Sequence, residues 1–264
     1  WAAWCIQQYY KFTNPQDTIK KYGALLEKII NHIIDGKQNN LYIGKDGLLS
    51  TDGSKTPATW MDAIKTNGLP VVPRTGYVVE FNALWYNALM FATTIFEEQG
   101  KSPERIYKWK ETAESLKTAF VETFLNDYGY LYDYVDGNYM DLSVRPSMLI
   151  AVGCDFSPLD KSQRKKVLDF VTRELLTPNG VRTLSPKSFG YNPFFVGNKV
   201  QRQLASFNGP TRPWMTGFYT DAYLKVFGHS GVAFLRRMLI GYEDDMTREC
   251  IGSISELYDG NPPY

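Results

Sequence analysis

The sequence predicts an all-α protein arranged as an α/α toroid, and three observations carry that expectation. Apolar residues recur with a helical period along most of the 264 residues. The helical segments alternate between charged, amphipathic ones and ones with few charges away from their ends, as in Asn82-Ala83-Leu84-Trp85-Tyr86-Asn87-Ala88-Leu89. The connections alternate as well, being short after an uncharged helix and long after a charged one. A helix apolar nearly all round is buried on all sides, whereas an amphipathic one keeps a wet face. Two concentric layers of antiparallel helices satisfy all three observations and place every long connection on one face.

In chain order, helices are expected at about 1–12, 17–36, 80–99, 103–126, 143–153, 160–176, 209–227 and 231–249. The second, fourth, sixth and eighth are the charged, outer ones, exemplified by Asp160-Lys161-Ser162-Gln163-Arg164-Lys165-Lys166. Pro103 suits a first helical turn, and Gly36, Gly100 and Gly228 suit helix ends. Strand-like pieces are short: Tyr77-Val78-Val79 and Tyr130-Leu131-Tyr132. The long connections are 37–79, 127–142 and 177–208, and loops of that length are usually functional.

Composition excludes several classes. Lys and Arg number 29 against 28 Asp and Glu, a formal charge of +1, so no basic excess marks a nucleic-acid or anionic-membrane partner. No apolar run reaches the length of a membrane helix. With 44% hydrophobic and 15% aromatic residues the chain is not disordered. Cys5, Cys154 and Cys250 form no disulfide framework and no zinc spacing, and they read as reduced, buried thiols. That usage points to the cytoplasm, with the periplasm as the alternative. No metal site is expected, and without GxGxxG, P-loop or GxSxG motifs no cofactor is expected either. The chain opens on Trp1 without a Met, as a trimmed or partial chain would.

On the face expected to carry the long connections, carboxylates stand beside aromatic residues. Segment 37–79 holds Trp60 and Asp62, then Arg74, and leads to Glu80 at a helix start. Segment 177–208 holds Arg182, and the tail holds Glu256 in Ser255-Glu256-Leu257-Tyr258-Asp259. Trp85, Tyr86, Phe207, Trp214 and Tyr258 flank them. Sugar rings pack their C–H faces on aromatic rings, and their hydroxyls bond to carboxylates, amides and guanidinium groups. Glycoside hydrolysis needs one protonated and one ionised carboxyl at the scissile bond. Asp62, two residues beyond Trp60, suits the acid if it is buried there. Glu80, at a helix N-terminus, suits an anion that binds hydroxyls or Arg74. Glu256, in a polar tail, suits the base that activates water.

The same residues resemble a known family. Asp46-Gly47-Leu48-Leu49, Thr59-Trp60-Met61-Asp62-Ala63, residues 75–84 (TGYVVEFNAL) with Trp85-Tyr86-Asn87-Ala88-Leu89, Val144-Arg145-Pro146, Gly180-Val181-Arg182-Thr183-Leu184-Ser185-Pro186 and residues 254–263 (ISELYDGNPP) look like the glycogen debranching enzyme family, in its amylo-α-1,6-glucosidase domain. The resemblance runs in order over nearly the whole chain. It implies an (α/α)6 barrel, of which residues 1–264 would be a single partial domain with about eight of twelve helices. It further implies inverting hydrolysis of α-1,6-linked glucose at branch points of glycogen or related α-glucan oligosaccharides. Asp62 would be the general acid and Glu256 the general base. Trp60, Arg74, Glu80, Asn82, Trp85 and Tyr86 would contact sugar, and Arg182, Asn208 and Trp214 complete the candidate substrate contacts. The partners implied are the glucan and the N- and C-terminal helices of a longer protein, with no nucleic acid and no membrane.

One motif departs from the family. Where a His-(Gln/Asn)-Gly-Thr-Val-Trp-Pro-Trp run is usual, this chain reads Phe207-Asn208-Gly209-Pro210-Thr211-Arg212-Pro213-Trp214. Phe207 stands in place of the His and Arg212 in place of a small apolar residue. The alternatives are therefore a degenerate carbohydrate-binding toroid and a related toroid glycosidase acting on another sugar.

Overall fold

The Asn14-Pro15 pair opens the first long amphipathic helix. The Asn14 side chain accepts hydrogen bonds from the backbone N–H groups of Gln16 (2.9 Å) and Asp17 (3.3 Å), and Pro15 occupies the first turn. In this computed structural model, which describes residues 1–100, 103–247 and 251–262, the helix α2 follows α1 and runs over Pro15–Ile34. The remaining helices are α1 (Ala2–Phe12), α3 (Val79–Glu98), α4 (Pro103–Phe124), α5 (Met148–Gly153), α6 (Lys161–Leu175), α7 (Lys199–Ala205), α8 (Trp214–Phe227) and α9 (Val232–Asp245). A single 3-10 turn, Gly228–Gly231, joins α8 to α9.

Packing follows the expected alternation. Helices α1, α3, α5 and α8 form a row of successive neighbours, with α2 against α1 and α3, α4 against α3, and α6 against α5 and α8. Helix α3 is buried nearly all round and α5 entirely. Helix α4 buries one stripe, Ile106, Trp109, Ala113, Leu116, Phe120 and Phe124, at helical spacing. Helix α6 starts at a capping box between Asp160 and Gln163. Helix α9 stacks Phe234 on Tyr223 of α8, with ring centroids 4.8 Å apart.

Several boundaries and one class assignment differ from expectation. Helix α1 buries only Ala3, Ile6 and Gln7, leaving Phe12 81% exposed, and α8 keeps Trp214 and Leu224 exposed; neither is wrapped on every side. Helix α5 starts at Met148 rather than 143 and α8 at Trp214 rather than 209, because Pro146, Pro210 and Pro213 disfavour helical backbone before them. The all-α expectation is also corrected. Strands β1 (Tyr42–Ile43), β2 (Leu49–Thr51), β3 (Gly76–Val78), β4 (Tyr134–Asp136) and β5 (Tyr139–Met140) form one antiparallel sheet in that order. A second ladder pairs β6 (Leu176–Thr177) with β7 (Gly180–Val181). Strands of two or three residues are too short for alternation to register. The Tyr130–Tyr132 piece is not a strand; Leu131 makes only an isolated bridge to Leu125. Helix α7 lies inside the segment expected to be a loop. Its seven residues, capped by Asn198 and Gln201, are too few to show a period.

The sheet gathers segments 37–79 and 127–142 on one side of the helices. Asn82, in the first turn of α3, stitches β2 to the helix. Its Oδ1 accepts from Leu49 N–H (2.7 Å), and its Nδ2 donates to the carbonyls of Leu49 and Val78 (3.0 Å each). Gly76 sits at φ +79°, and a Cβ there would run into the Val135 carbonyl of β4, so only glycine fits. Thr211 bridges Arg182 and Tyr258, which ties segment 177–208 to the tail. Of the cysteines, Cys5 is exposed, contrary to expectation, Cys154 is buried, and Cys250 lies outside the described residues; the helix expected to reach 249, α9, ends at Asp245. Among the described residues no helix is long and apolar enough to cross a membrane.

Candidate active site

A cavity of about 910 Å³ opens where the long segments meet, and Asp62 and Glu256 both line it. Three parts of the chain build its walls. The first is the run around Asp62, the second is α7 through Lys199, Val200 and Gln203, and the third joins Phe207 and Arg212 to the tail.

Asp62 is placed by its neighbours. Met61 and Ala63 are buried in a small apolar cluster with Val72 and Phe207, so the residue between them faces outward. Two backbone bonds fix this turn: Val71 N–H donates to Ala63 O (2.8 Å), and Ile64 N–H donates to Gln203 Oε1 of α7 (3.3 Å). Asp62 is exposed, so the burial expected of it beside Trp60 is not present. Trp60 instead turns toward Phe207 (5.4 Å between ring centroids) and Trp214 (5.0 Å), and its Nε1–H donates to Ser147 Oγ (3.2 Å).

Glu256 lies on a loop without regular structure, yet the loop is tied on both sides. Asp245, the last residue of α9, accepts from Ser255 N–H (2.8 Å), Ser255 Oγ (3.1 Å) and the Tyr258 hydroxyl (2.6 Å). Burial, then the Asp245 acceptor, push the Tyr258 phenol up, so it remains a proton donor. Beyond it, Asp259 Oδ1 accepts from Phe195 N–H (2.8 Å), and the Gly260 carbonyl accepts from Arg182 Nε (2.6 Å). The Glu256 side chain remains 87% exposed and pairs with Arg212, whose Nη1 is 2.6 Å from Oε1. The Arg212 guanidinium lies over the Phe207 ring, 5.0 Å from its centroid. The two departures from the family motif therefore touch each other, and Arg212 touches the candidate base.

Other expected sugar contacts are committed elsewhere. Arg74 and Glu80 are each 1% exposed and pair with one another; Arg74 Nη2 also donates to Asp133 Oδ1 (2.8 Å) and to its carbonyl (3.1 Å). Burial opposes the charge on Arg74, but Asp133 and Glu80 more than offset it, and the guanidinium's pKa is raised. Burial pushes the Asp133 carboxyl up to about 6 against the opposing pull of Arg74 and Arg145. Arg145 approaches Asp133 Oδ2 at 3.6 Å and donates to the carbonyls of Phe207 (2.6 Å) and Thr183 (3.2 Å) and to Asn208 Oδ1 (3.2 Å). Arg74, Glu80, Asp133 and Arg145 thus form a balanced buried network that supports the 183 and 207–208 turns. Asn82 is fully buried as the β2–α3 stitch, and Trp85 and Tyr86 sit in the core. Arg182 and Asn208 hold loops through the bonds just described.

Aromatic surface continues beside the cavity. Trp1, Trp4, Trp60, Trp214 and Phe218 line a second hollow of about 790 Å³, and Glu80, Trp60 and Trp85 border a third of about 580 Å³. Of the expected aromatic contacts, Trp60 and Trp214 are the least buried. Sequence reasoning did not single out Asp133, Arg145 as a hub, α7 as a cavity wall, or Asp245. Of these, only Arg145 lay in a motif of the family resemblance, Val144-Arg145-Pro146. Among the described residues no group of three or more His, Cys, Asp or Glu is placed to hold a metal.

Comparison with known proteins gives the family and the fold. The family described as Amylo-alpha-1,6-glucosidase matches residues 1–264. A glycogen debranching enzyme from Saccharomyces cerevisiae is 22% identical over 237 residues, covering 74% of this chain and 15% of the relative. The chain thus spans about a seventh of that curated relative's length. Among solved structures, a neutral trehalase from S. cerevisiae superposes with a TM-score of 0.57 at 14% identity, over 70% of this chain and 34% of the other. A GH63 mannosylglycerate hydrolase from Thermus thermophilus, in complex with glucose, gives 0.51 at 14% identity, over 70% and 42%. These neighbours are of the (α/α)6 toroid class and show a shared helix-rich fold.

Proposed function

Because the chain belongs to the amylo-alpha-1,6-glucosidase family, we propose that it is a glycoside hydrolase that cleaves α-1,6-linked glucose at branch points of glycogen-like α-glucans. The observation that supports this reading is that Asp62 and Glu256, from opposite ends of the chain, line one cavity beside an aromatic hollow. In this reading Asp62 protonates the glycosidic oxygen as the C–O bond breaks. Glu256 takes a proton from the water that attacks the anomeric carbon on the opposite face, so the configuration inverts. Trp60 and Trp214 offer rings on which the glucan packs.

The exposed Tyr9 and Phe12 of α1 and Leu224 of α8 are where we place further helices of a longer protein. A contiguous apolar surface of this kind marks a contact site.

Product analysis tests the function. Isomaltose, panose, trehalose and limit dextrin are offered, and released glucose is followed by proton NMR. Glucose from the α-1,6-linked substrates, appearing first as the β-anomer, supports the proposal. Cleavage of trehalose instead assigns the site to another sugar. Oligosaccharide binding with no release assigns it to a carbohydrate-binding toroid.

A further inference from the structure

Glu256 is held by the tail on one side and by a stacked cation on the other. Ser255 and Tyr258 anchor the loop to Asp245, but neither touches the Glu256 carboxylate. The group that does is Arg212, which is 9% exposed and held in place, because its guanidinium carbon lies over the Phe207 ring and its Nη2 donates to the Ser206 carbonyl (3.4 Å). Phe207 is buried against Trp60, Met61 and Ala63, the residues that set Asp62. One continuous set of contacts therefore runs from the turn carrying Asp62, through Phe207 and Arg212, to the Glu256 carboxylate.

We propose that Arg212, laid on Phe207, is a positioning residue that holds the Glu256 carboxylate at the cavity wall in fixed relation to Asp62. The proposal rests on Glu256 being the base, as proposed above. An exposed carboxylate on an irregular loop samples several rotamers, and a base displaced by an ångström loses much of its effect. A planar guanidinium braced by a ring offers a directed hydrogen bond that a lysine does not reproduce in full. Phe207 and Arg212 are needed together, since the ring fixes the cation and the cation fixes the carboxylate.

The test uses Arg212→Met, Arg212→Lys and Phe207→Leu in the whole chain with panose as substrate. Arg212→Met should lower kcat by about 10- to 100-fold and leave KM within about twofold, because the cation acts on the base and not on substrate affinity. Arg212→Lys should recover part of that loss, and Phe207→Leu should fall between. A thermal double-mutant cycle between Arg212→Met and Glu256→Ala reads the contact without any turnover, and should be non-additive by about 1–3 °C in Tm. Unchanged or raised kcat in Arg212→Met, with normal glucose release by the unsubstituted chain, overturns the positioning role while leaving the proposed function standing. An additive cycle shows that the pair contributes nothing to holding the loop and likewise overturns it. A non-additive cycle in a chain that releases no glucose overturns the proposed function, and the positioning role falls with it.

Discussion

Arg74, Glu80, Asp133 and Arg145 are all at most 6% exposed and direct their charges at one another and at backbone carbonyls, whereas Asp62 and Glu256 stand in solvent on the wall of one cavity. Arg74 and Glu80 of the first set were candidates for sugar chemistry, as were Asp62 and Glu256. Burial separates them. A buried charge must be paired, and removing its partner strands it, so the first set is committed to structure. A carboxylate that exchanges protons with a sugar and a water needs an open approach, which the second set has. Charged residues near aromatic motifs are therefore of two kinds here, and substitution should distinguish them by stability.

The largest loss of stability is expected in the buried set. Arg74→Met leaves Glu80 without its cation and Asp133 with Arg145 alone, and should cost about 3–5 kcal/mol, seen as a fall of roughly 8–15 °C in Tm. A shift of only a degree or two would remove the network from the fold's supports. Next, Asn82→Ala unpairs the Leu49 N–H and the carbonyls of Leu49 and Val78 and should cost about 1–3 kcal/mol by denaturant unfolding. Full stability in that variant would mean that water replaces the amide.

A smaller effect is expected from pH. The folded-state pKa of Asp133 is raised from 3.8 to about 6, so the native chain binds this proton more tightly than the unfolded chain does. The burial penalty is present above about pH 6 and is relieved as pH falls toward 4. The stability of the unsubstituted chain relative to Asp133→Asn should therefore rise between pH 7 and pH 4. A gap independent of pH would show that Asp133 titrates normally. Smallest of all, Asp62→Asn should leave Tm within about 2 °C, as an exposed substitution does. A large drop there would move Asp62 into the structural set.

Much of this was legible in the sequence, for reasons that differ by element. The apolar run Asn82–Leu89 marked α3 as buried, and Pro103 marked the start of α4, because each signal is local. The sheet was not legible, since its register depends on pairings such as Tyr77 with Val135, and its strands are too short to alternate. Asp62 and Glu256 are candidates on the strength of aromatic and turn neighbours, but the burial expected of Asp62 is absent because Trp60 turns away to Phe207 and Trp214. Arg74 and Glu80 looked like a sugar site because their decisive partner, Asp133, lies 59 residues beyond Arg74. No local pattern reports a charge balance of that range. The Arg212–Glu256 pair, 44 residues apart, was invisible for the same reason.

The proposed place of Asp62 in the reacting set is tested most directly by turnover of panose by Asp62→Asn, read beside its melting curve. Glucose release should fall by roughly 100- to 10,000-fold while the melting transition stays in place. Near-normal release from a chain that melts normally would contradict that role.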